Sequence, residues 1–268
     1  FGADYFIMEN FVKFLGTAGA RVVVSKQLRA SGGVWIKYQD TNIHIDPGPG
    51  ALVRALSSRP PLSPPSLDAL LLSHRHLDHS NDLNIMVEAM TEGATKKRGA
   101  VFLPAEALEE EPVLFKYLRE KLVSLEILEE GKEYHWKDIS FSTPLRHLHS
   151  AETYGFRFSF PQGDVSFITD TLFEEKLIEA YQDSKILFLN TVRFKKDNHS
   201  SILHLSIPDA QVIIENIKPR LAFLTHFGLT VLREKPWKIA EEMSQKTGIK
   251  VIAASDGMKI DLEEALKD

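Results

Sequence analysis

The sequence contains no cysteine among its 268 residues. Disulfide bonds and thiolate metal sites are therefore excluded, and a bound metal would need histidine, carboxylate or other oxygen ligands. No apolar run approaches the roughly 18 residues that cross a bilayer, so we expect no transmembrane helix. The first seven residues lack a basic start and a cleavage-site pattern. We therefore expect no signal peptide, and the cytoplasm is the predicted location.

An excess of positive charge is absent as well. The net charge of −5 argues against a protein that wraps nucleic acid by bulk electrostatics. Local phosphate recognition stays open, because two bound divalent cations would make a site positive. The sequence also shows no repeat, low-complexity tract or composition break. We predict one domain over residues 1–268. Met8 is predicted to be the native start, and residues 1–7 are predicted not to belong to the natural protein.

Short apolar runs alternate with helical patterns along the chain, which is typical of an α/β protein. Strands are predicted at residues 11–15, 21–25, 34–38, 42–45, 67–73, 100–103, 139–143, 154–160, 165–169, 186–190, 221–225, 251–254 and 258–262. Helices are predicted at residues 82–91, 112–121, 173–181, 208–217 and 236–246.

The most informative segment runs from His74 to His79. It places three histidines and one aspartate within six residues, directly after the apolar run at residues 70–72. Neutral imidazole and carboxylate are ligands that zinc, manganese and iron prefer. The spacing predicts a metal site, and the alternative is a solvated loop that is rich in histidine.

Other histidines and aspartates also follow apolar runs. His149, Asp170 and His226 each stand where an apolar run ends, after residues 141–148, 165–169 and 221–225. Strand ends in a layered α/β fold share an edge, so their side chains converge on one crevice. Seven ligands suit two metals when one carboxylate bridges them and water completes the shells. The candidates are His74, His76, Asp78, His79, His149, Asp170 and His226.

These residues resemble the metallo-β-lactamase superfamily, and the resemblance spans nearly the whole chain. Residues 74–79 match the signature loop of that family, and residues 169–171 and 225–228 match its later ligand positions. The resemblance implies a four-layer αββα sandwich with a dinuclear site at one rim. It also implies that His74, His76 and His149 hold the first metal, that Asp78, His79 and His226 hold the second, and that Asp170 bridges them.

Further motifs resemble the ribonuclease Z and cyclic phosphodiesterase branch of the family. His149 lies six positions before the Gly-Phe-Arg strand at residues 155–157, which is the spacing of that branch. Residues 15–19 and 45–48 are similar to its N-terminal strands. Residues 255–258 are similar to the closing strand of RNA-processing relatives.

Two positions near the predicted site have competing interpretations. His147 competes with His149 as the ligand, because residues two apart in a strand face the same side. The spacing to Gly155 favours His149. Asp46 is predicted to orient a ligand imidazole, and the alternative is a turn aspartate before the Pro-Gly pair at residues 47–48.

A dinuclear site generates a bridging hydroxide near neutral pH and stabilises charge in phosphodiester hydrolysis. Asp78 and His204 are the catalytic candidates. His204 resembles the substrate-side histidine of the phosphodiesterase members, which implies phosphate contact and a general-acid role. Its alternative is a histidine that caps or packs on the helix after Ser206.

The remaining basic and aromatic residues carry weaker signals. Substrate phosphate could be held by Arg193, Lys195 and Lys196, although such runs are most often solvated surface. Residues 96–98 are expected in a surface loop. No partner pattern involves three further histidines, which are expected to be structural or surface residues: His44, His135 and His199. The aromatic residues at 34–38 are expected to pack in a strand.

The chain also lacks the insertions of several family branches. Residues 171–203 are too few for an inserted second domain, no Gly/Pro-rich arm is present, and the chain ends soon after a final strand. A compact phosphodiesterase is therefore predicted, with two divalent metals, zinc favoured over manganese or iron. Its predicted partner is a small or short phosphodiester, such as a cyclic phosphate, a nucleotide or an RNA end. A homodimer stays open, as do a lactone or thioester hydrolase and a non-enzymatic metal or nucleic-acid-binding module.

Overall fold

The computed structural model describes residues 9–196 and 202–267. The predicted start at Met8 and the surface role of His199 lie outside these residues. The strands of the first half of the chain are β1 (Phe11–Gly16), β2 (Ser31–Tyr38), β3 (Thr41–Ile45), β4 (Ala69–Leu71), β5 (Ala100–Leu103), β6 (Ser124–Ile127), β7 (Lys132–Trp136) and β8 (Ile139–Thr143). Those of the second half are β9 (Arg146–His147), β10 (Thr153–Tyr154), β11 (Phe156–Phe160), β12 (Gly163–Ile168), β13 (Ser184–Asn190), β14 (Leu221–Thr225), β15 (Lys250–Ala253) and β16 (Lys259–Asp261).

The α-helices are mostly short. They are α1 (Ala20–Ser25), α2 (Ala51–Ser57), α3 (Leu77–Ser80), α4 (Leu83–Met90), α5 (Lys116–Arg119), α6 (Lys176–Ala180), α7 (Ile207–Ile217), α8 (Leu229–Arg233), α9 (Pro236–Thr247) and α10 (Leu262–Leu266). The longest is α9, which starts at a proline and ends before Gly248 in a left-handed conformation. Both ends follow the usual preference for proline at the start and glycine past the end of a helix.

Two seven-stranded sheets form the middle of the molecule. The first has the order β16-β1-β2-β3-β4-β5-β6 and the second β15-β14-β13-β12-β11-β8-β7. Each sheet is antiparallel on one side and parallel on the other, with β3 to β6 parallel in the first and β12 to β15 parallel in the second. The ends of parallel strands lie at one edge, where loops can bring polar side chains together.

An aromatic layer fills the space between the two sheets. Phe188 is 1% exposed, and its ring lies 4.4 Å from that of Phe167 and 4.9 Å from that of Phe223, stacked on both. Phe14 contributes from the opposite sheet, with its ring centroid 5.7 Å from Phe188. Such paired aromatic rings bury a large apolar area and hold the sheets face to face.

Helices cover the outer face of each sheet. Buried side chains of α4, such as Met86 and Val87, pack with Trp35 and Leu70 of the first sheet. Along α7, five apolar residues at helical spacing pack on the second sheet. The resulting helix-sheet-sheet-helix order confirms the predicted four-layer sandwich.

The largest differences from the structure concern two predicted elements. Residues 21–25 are predicted as a strand, but they form α1, in which only Val23 is buried. Since no strand among the described residues pairs with this segment, the β preference of its valines is overridden by its surroundings. The helix predicted at residues 112–121 is limited to α5, because the chain turns before Phe115, whose backbone is extended.

No helix in the described part of the chain is long and apolar enough to cross a bilayer.

Candidate metal centre

The signature loop follows β4 and is held by Asp46. This aspartate stands directly after β3, and its carboxylate accepts hydrogen bonds from the backbone N–H and the hydroxyl of Ser73, both at 2.7 Å. It also accepts one from Nδ1 of His79 at 2.9 Å. The Ser73 hydroxyl lies 3.0 Å from Nδ1 of His74. Asp46 therefore fixes the rings of His79 directly and of His74 through Ser73, so that the Nε2 atom of each faces the centre.

Three imidazole nitrogens meet at the first position. His76 Nδ1 lies 3.0 Å from His74 Nε2 and 3.2 Å from His149 Nε2. Two nitrogens bound to one tetrahedral zinc stand about 3.3 Å apart, since Zn–N bonds are roughly 2.0–2.1 Å long. The ring of His149 is fixed by its Nδ1, which donates to the Leu203 carbonyl at 2.9 Å. The spacing of these three nitrogens therefore fits a single cation.

A second group faces the first from the other side of the crevice. Asp78 Oδ2 lies 3.8 Å from His79 Nε2 and 3.6 Å from His226 Nε2. One ligand atom from each of the three residues lies within 4.8 Å of the others. His226 directly follows β14, and Asp78 and His79 belong to α3. This second group can hold another cation.

Asp170 stands between the two groups. It is 1% exposed, and its Oδ2 lies 3.9 Å from His74 Nε2 and 3.4 Å from His79 Nε2. Its Oδ1 lies 3.3 Å from His226 Nδ1 and accepts a hydrogen bond from Asn190 at 2.9 Å. One carboxylate that reaches ligands of both groups has the position expected for a bridge.

Several buried polar atoms at this centre have no hydrogen-bond partner among the described residues. They are His79 Nε2, Asp170 Oδ2, His204 Nδ1, and Nδ1 and Nε2 of His226. A buried polar atom without a partner is rare and needs an explanation, such as a bound ion. These atoms converge with the three-residue groups described above, so the donor set fits divalent metals.

Burial and neighbouring charges shift the titration of these side chains. Burial lowers the pKa of His74, and the adjacent His79 lowers it further. Burial also acts to lower the pKa of His79, but Asp46, Asp170 and Asp78 outweigh it and raise that pKa well above its ordinary value. For Asp170 burial opposes ionisation, yet the surrounding histidines hold its pKa well below the ordinary value. The Asp170 carboxylate is therefore ionised at neutral pH.

The backbone at the centre is strained. Asp46 and His226 adopt left-handed conformations, with φ of 52° and 55°. Such conformations are uncommon outside glycine and cluster at functional sites. A glycine accommodates the approach of His226, because a Cβ at Gly19 would lie 2.1 Å from the His226 carbonyl oxygen. The fold therefore places this ligand at a local cost in stability.

His204 lies at the edge of the centre. Its Nδ1 lies 3.5 Å from Asp170 Oδ2, and its ring centroid is 4.9 Å from that of His149. Burial lowers its pKa to about 4. The helix after it is capped by Ser206 and Asp209, which exchange both hydrogen bonds of a capping box. His204 is therefore not the helix cap, and it stays close to the predicted ligands.

The other predicted histidines lie elsewhere. Both ring nitrogens of His147 have partners, the Tyr181 hydroxyl at 2.8 Å and the Thr169 hydroxyl at 3.2 Å, so it is a buried structural residue. His44 is fully buried and donates from Nε2 to the Gly32 carbonyl at 2.7 Å. His135 is exposed. The cluster thus contains His149 and not His147.

The three predicted phosphate-binding cations differ in their surroundings. Arg193 lines the cavity that opens on the centre. Lys195 is exposed, and the Lys196 ammonium lies 3.4 Å from a carboxylate oxygen of Asp209. In residues 96–98, Lys96 pairs with Glu92, which places that segment at the surface.

Sequence reasoning did not identify the role of Asp256. Its carboxylate accepts hydrogen bonds from the backbone N–H and hydroxyl of Thr17 at 2.9 and 2.7 Å, and from the Ala30 N–H at 2.7 Å. It thereby closes the loop that carries Gly19 against His226. The only sequence signal was the Ser-Asp-Gly motif at residues 255–257, because the partners are more than 200 positions away.

Comparison with known proteins agrees with this architecture. The family model described as "Beta-lactamase superfamily domain" matches residues 41–227. The uncharacterized protein MJ1374 of Methanocaldococcus jannaschii is 38% identical over 258 residues, which cover 93% of this chain and 94% of that protein.

Solved structures share the fold at low sequence identity. The metallo-β-lactamase fold protein YhfI from Bacillus subtilis has a TM-score of 0.78 at 16% identity, covering 94% of this chain and 99% of that one. A diphosphatase of the PhnP family has a TM-score of 0.67 at 22% identity, covering 94% and 98%. The short form of human tRNase Z has a TM-score of 0.68 at 14% identity, covering 93% and 98%. The chain belongs to the metallo-β-lactamase superfamily.

Proposed function

We propose that the protein is a dinuclear metal-dependent phosphodiesterase that acts on small or short phosphodiesters. One observation supports this most strongly. Two groups of three ligand atoms, each group compact enough for a single cation, share Asp170 between them. Two metals close together stabilise the attacking and the leaving oxygens of an in-line displacement, which is the demand of phosphodiester hydrolysis. Two similar folds are named as a diphosphatase and a tRNase, and both names point to hydrolysis of a P–O bond.

The residues of the chain have separate tasks in this proposal. Six side chains would hold the metals: His74, His76, Asp78, His79, His149 and His226. When bound, the metals would supply Lewis-acid polarisation of the phosphate and an activated water. Asp170 would link the two groups, and its carboxylate and that of Asp78 would keep acceptor oxygens beside the reacting phosphate. Zinc is the favoured metal because the ligands are mainly imidazole nitrogens, and manganese and iron are the alternatives.

His204 is proposed as the general acid for the leaving oxygen. Its Nδ1 is buried and lies 3.5 Å from Asp170 Oδ2, on the side of the centre that faces the large cavity. A negatively charged phosphate beside His204 would favour its protonated form and so counter the effect of burial on its pKa. The proton then passes from His204 to the departing oxygen as the P–O bond breaks.

The test combines metal analysis with substrate profiling. Protein purified without chelators should contain about two equivalents of metal per chain. It should hydrolyse bis(p-nitrophenyl) phosphate but not p-nitrophenyl acetate or a thioester. The Asp170→Ala variant should lose most of the metal and the turnover, whereas the matched Asp40→Ala variant, at an exposed turn, should keep both. Acyl hydrolysis without phosphodiester hydrolysis would favour the acyl alternative, and absence of any turnover in metal-loaded protein would favour a binding module.

A further inference from the structure

A large cavity opens directly on the metal centre. Its volume is about 910 Å³, and its floor includes His76, His149 and His204. Pockets for small organic ligands measure roughly 300–1,000 Å³. Three residues of the two groups line it, His76, Asp78 and His149, and most of its lining residues lie outside both groups. The remaining space is large enough for a substrate group attached to the reacting phosphate.

The outer wall of the cavity is aliphatic. Helix α1 lies between α3 and α8 and turns Val22 toward the opening, where this valine is 46% exposed. Leu77 of the signature loop also lines the cavity and is 72% exposed. The apolar residues of this aliphatic wall are Val22, Val24, Leu77, Val192, Ile202 and Leu229.

Exposed aliphatic side chains at the entrance of a site favour binding of an apolar ligand group. Large apolar side chains in contact with water lower the free energy of binding when an apolar ligand covers them. Leu77 lies inside a loop whose other members are polar or charged, so its exposure does not serve the core. The two most exposed members, Val22 and Leu77, line the same cavity. The wall thus offers apolar area next to the reacting phosphate.

The described part of the wall is free of aromatic side chains. Among the described residues, no phenylalanine, tyrosine or tryptophan lines this cavity. Proteins that hold unpaired bases usually stack them on aromatic rings or on guanidinium planes. Arginines line the cavity at residues 21 and 193, and its apolar lining is aliphatic. The wall is better suited to a flexible saturated chain than to a nucleobase.

We propose that the substrate is a phosphodiester with an aliphatic substituent, and that Val22 and Leu77 determine this preference. The inference rests on the proposed function and specifies its substrate class. Hydrolysis adds water across one P–O bond, the leaving oxygen takes a proton, and the alkyl group remains in the cavity during the reaction. Arg21, exposed at the mouth, adds positive charge that favours an anionic phosphate group.

The preference is measured with p-nitrophenyl alkyl phosphates of increasing chain length. Full burial of one methylene favours binding by about fourfold, and half-burial by about twofold. The kcat/KM for the butyl ester should therefore exceed that for the methyl ester by about tenfold, and the hexyl ester should rank higher still. Thymidine 5′-(p-nitrophenyl phosphate) should rank below the hexyl ester.

Two variants test whether the aliphatic wall causes the preference for long alkyl esters. Val22→Ser should reduce the ratio of hexyl to methyl kcat/KM about threefold or more, because the hydroxyl replaces apolar contact area. Val53→Ser is the matched control, since Val53 is 67% exposed on α2 and does not line the cavity. It should leave the ratio unchanged. An equal fall in both variants would overturn the role of Val22.

A binding measurement separates failure of this inference from failure of the proposed function. Calorimetric titration of the metal-loaded protein should show hexylphosphonate binding at least tenfold more tightly than methylphosphonate. If all esters react at similar rates, or the thymidine ester is preferred, the substrate class is wrong and the phosphodiesterase stands. If no ester reacts but hexylphosphonate still binds more tightly, the proposed function is wrong and the aliphatic site stands. Equal binding of both phosphonates overturns the aliphatic site.

Discussion

Replacing Asp46 with asparagine tests whether hydrogen bonds outside the ligand set tune the metal centre. Asp46 accepts from Ser73 and from His79 Nδ1 at 2.7 and 2.9 Å. Asparagine keeps one acceptor oxygen but places an NH₂ donor where the second oxygen stood. If the NH₂ replaces Oδ2, both His79 Nδ1 and the Ser73 hydroxyl lose their acceptor, and if it replaces Oδ1, the Ser73 backbone N–H loses its acceptor. Since asparagine tolerates the left-handed conformation that Asp46 adopts, the substitution adds little backbone strain.

The expected loss follows from the role of such partners at other metal sites. Removing a hydrogen bond that orients a ligand imidazole typically weakens metal affinity by about 10- to 100-fold, or roughly 1.4–2.7 kcal/mol. We expect the Asp46→Asn protein to release its metal at a correspondingly lower chelator concentration. The loss of metal affinity should be larger at the group that contains His79. It should be smaller at the group that contains His74, which Asp46 orients only through Ser73.

Competition with a chromophoric chelator at pH 7 measures this loss, with metal content checked by mass spectrometry. Thermal unfolding of the metal-free proteins is the control, because a general defect in folding would lower the stability of the variant without metal. The reasoning is refuted if Asp46→Asn binds both metals as tightly as the unchanged protein. It is also refuted if the variant loses metal only because its metal-free form unfolds.

Three further predictions concern the acid, the buried histidine and the core. His204→Gln should keep both metals but slow hydrolysis of poor leaving groups by about 10²- to 10⁴-fold; equal slowing with p-nitrophenolate would contradict the assignment. Burial lowers the pKa of His44 from 6.5 to about 4, so stability present above pH 6.5 is lost toward pH 4. In denaturant titrations of the metal-free proteins, the unfolding free energy of His44→Gln should therefore fall by about 3 kcal/mol less between pH 6.5 and pH 4 than that of the unchanged protein. Phe188→Ala should lower the free energy of unfolding, measured by denaturant titration, by about 3–5 kcal/mol. A decrease of less than about 1 kcal/mol would contradict the core position of Phe188.

Strands buried on both faces were the most predictable elements. The prediction at residues 221–225 agrees with β14, and that at residues 100–103 agrees with β5, at both ends. These runs are continuously apolar because helices and the opposite sheet cover them on both sides. The edge strand β7 was missed, since its residues are mostly exposed and polar and show no uniform apolar run. The buried strands were thus predicted from the sequence, whereas the exposed edge strand was not.

The seven predicted ligands were found from the sequence because each follows a strand or lies in one short motif. The structure brings all of them to one crevice, which supports the reasoning from strand ends. Contacts between distant segments were beyond that reasoning. The hydrogen bonds of Asp256 to Thr17 and Ala30 depend on how two segments more than 200 positions apart meet, which no local pattern encodes.

The tie between Asp256 and Thr17 also bears on when the centre can mature. His226 comes from β14, which is flanked by β13 and by the later strand β15. The loop that rests against His226 is closed by Asp256, which follows Thr17 by more than 200 positions. During synthesis, the first group of histidines emerges before this closure exists. We therefore expect loading of the full metal pair to be a late event that waits until Asp256 has been made.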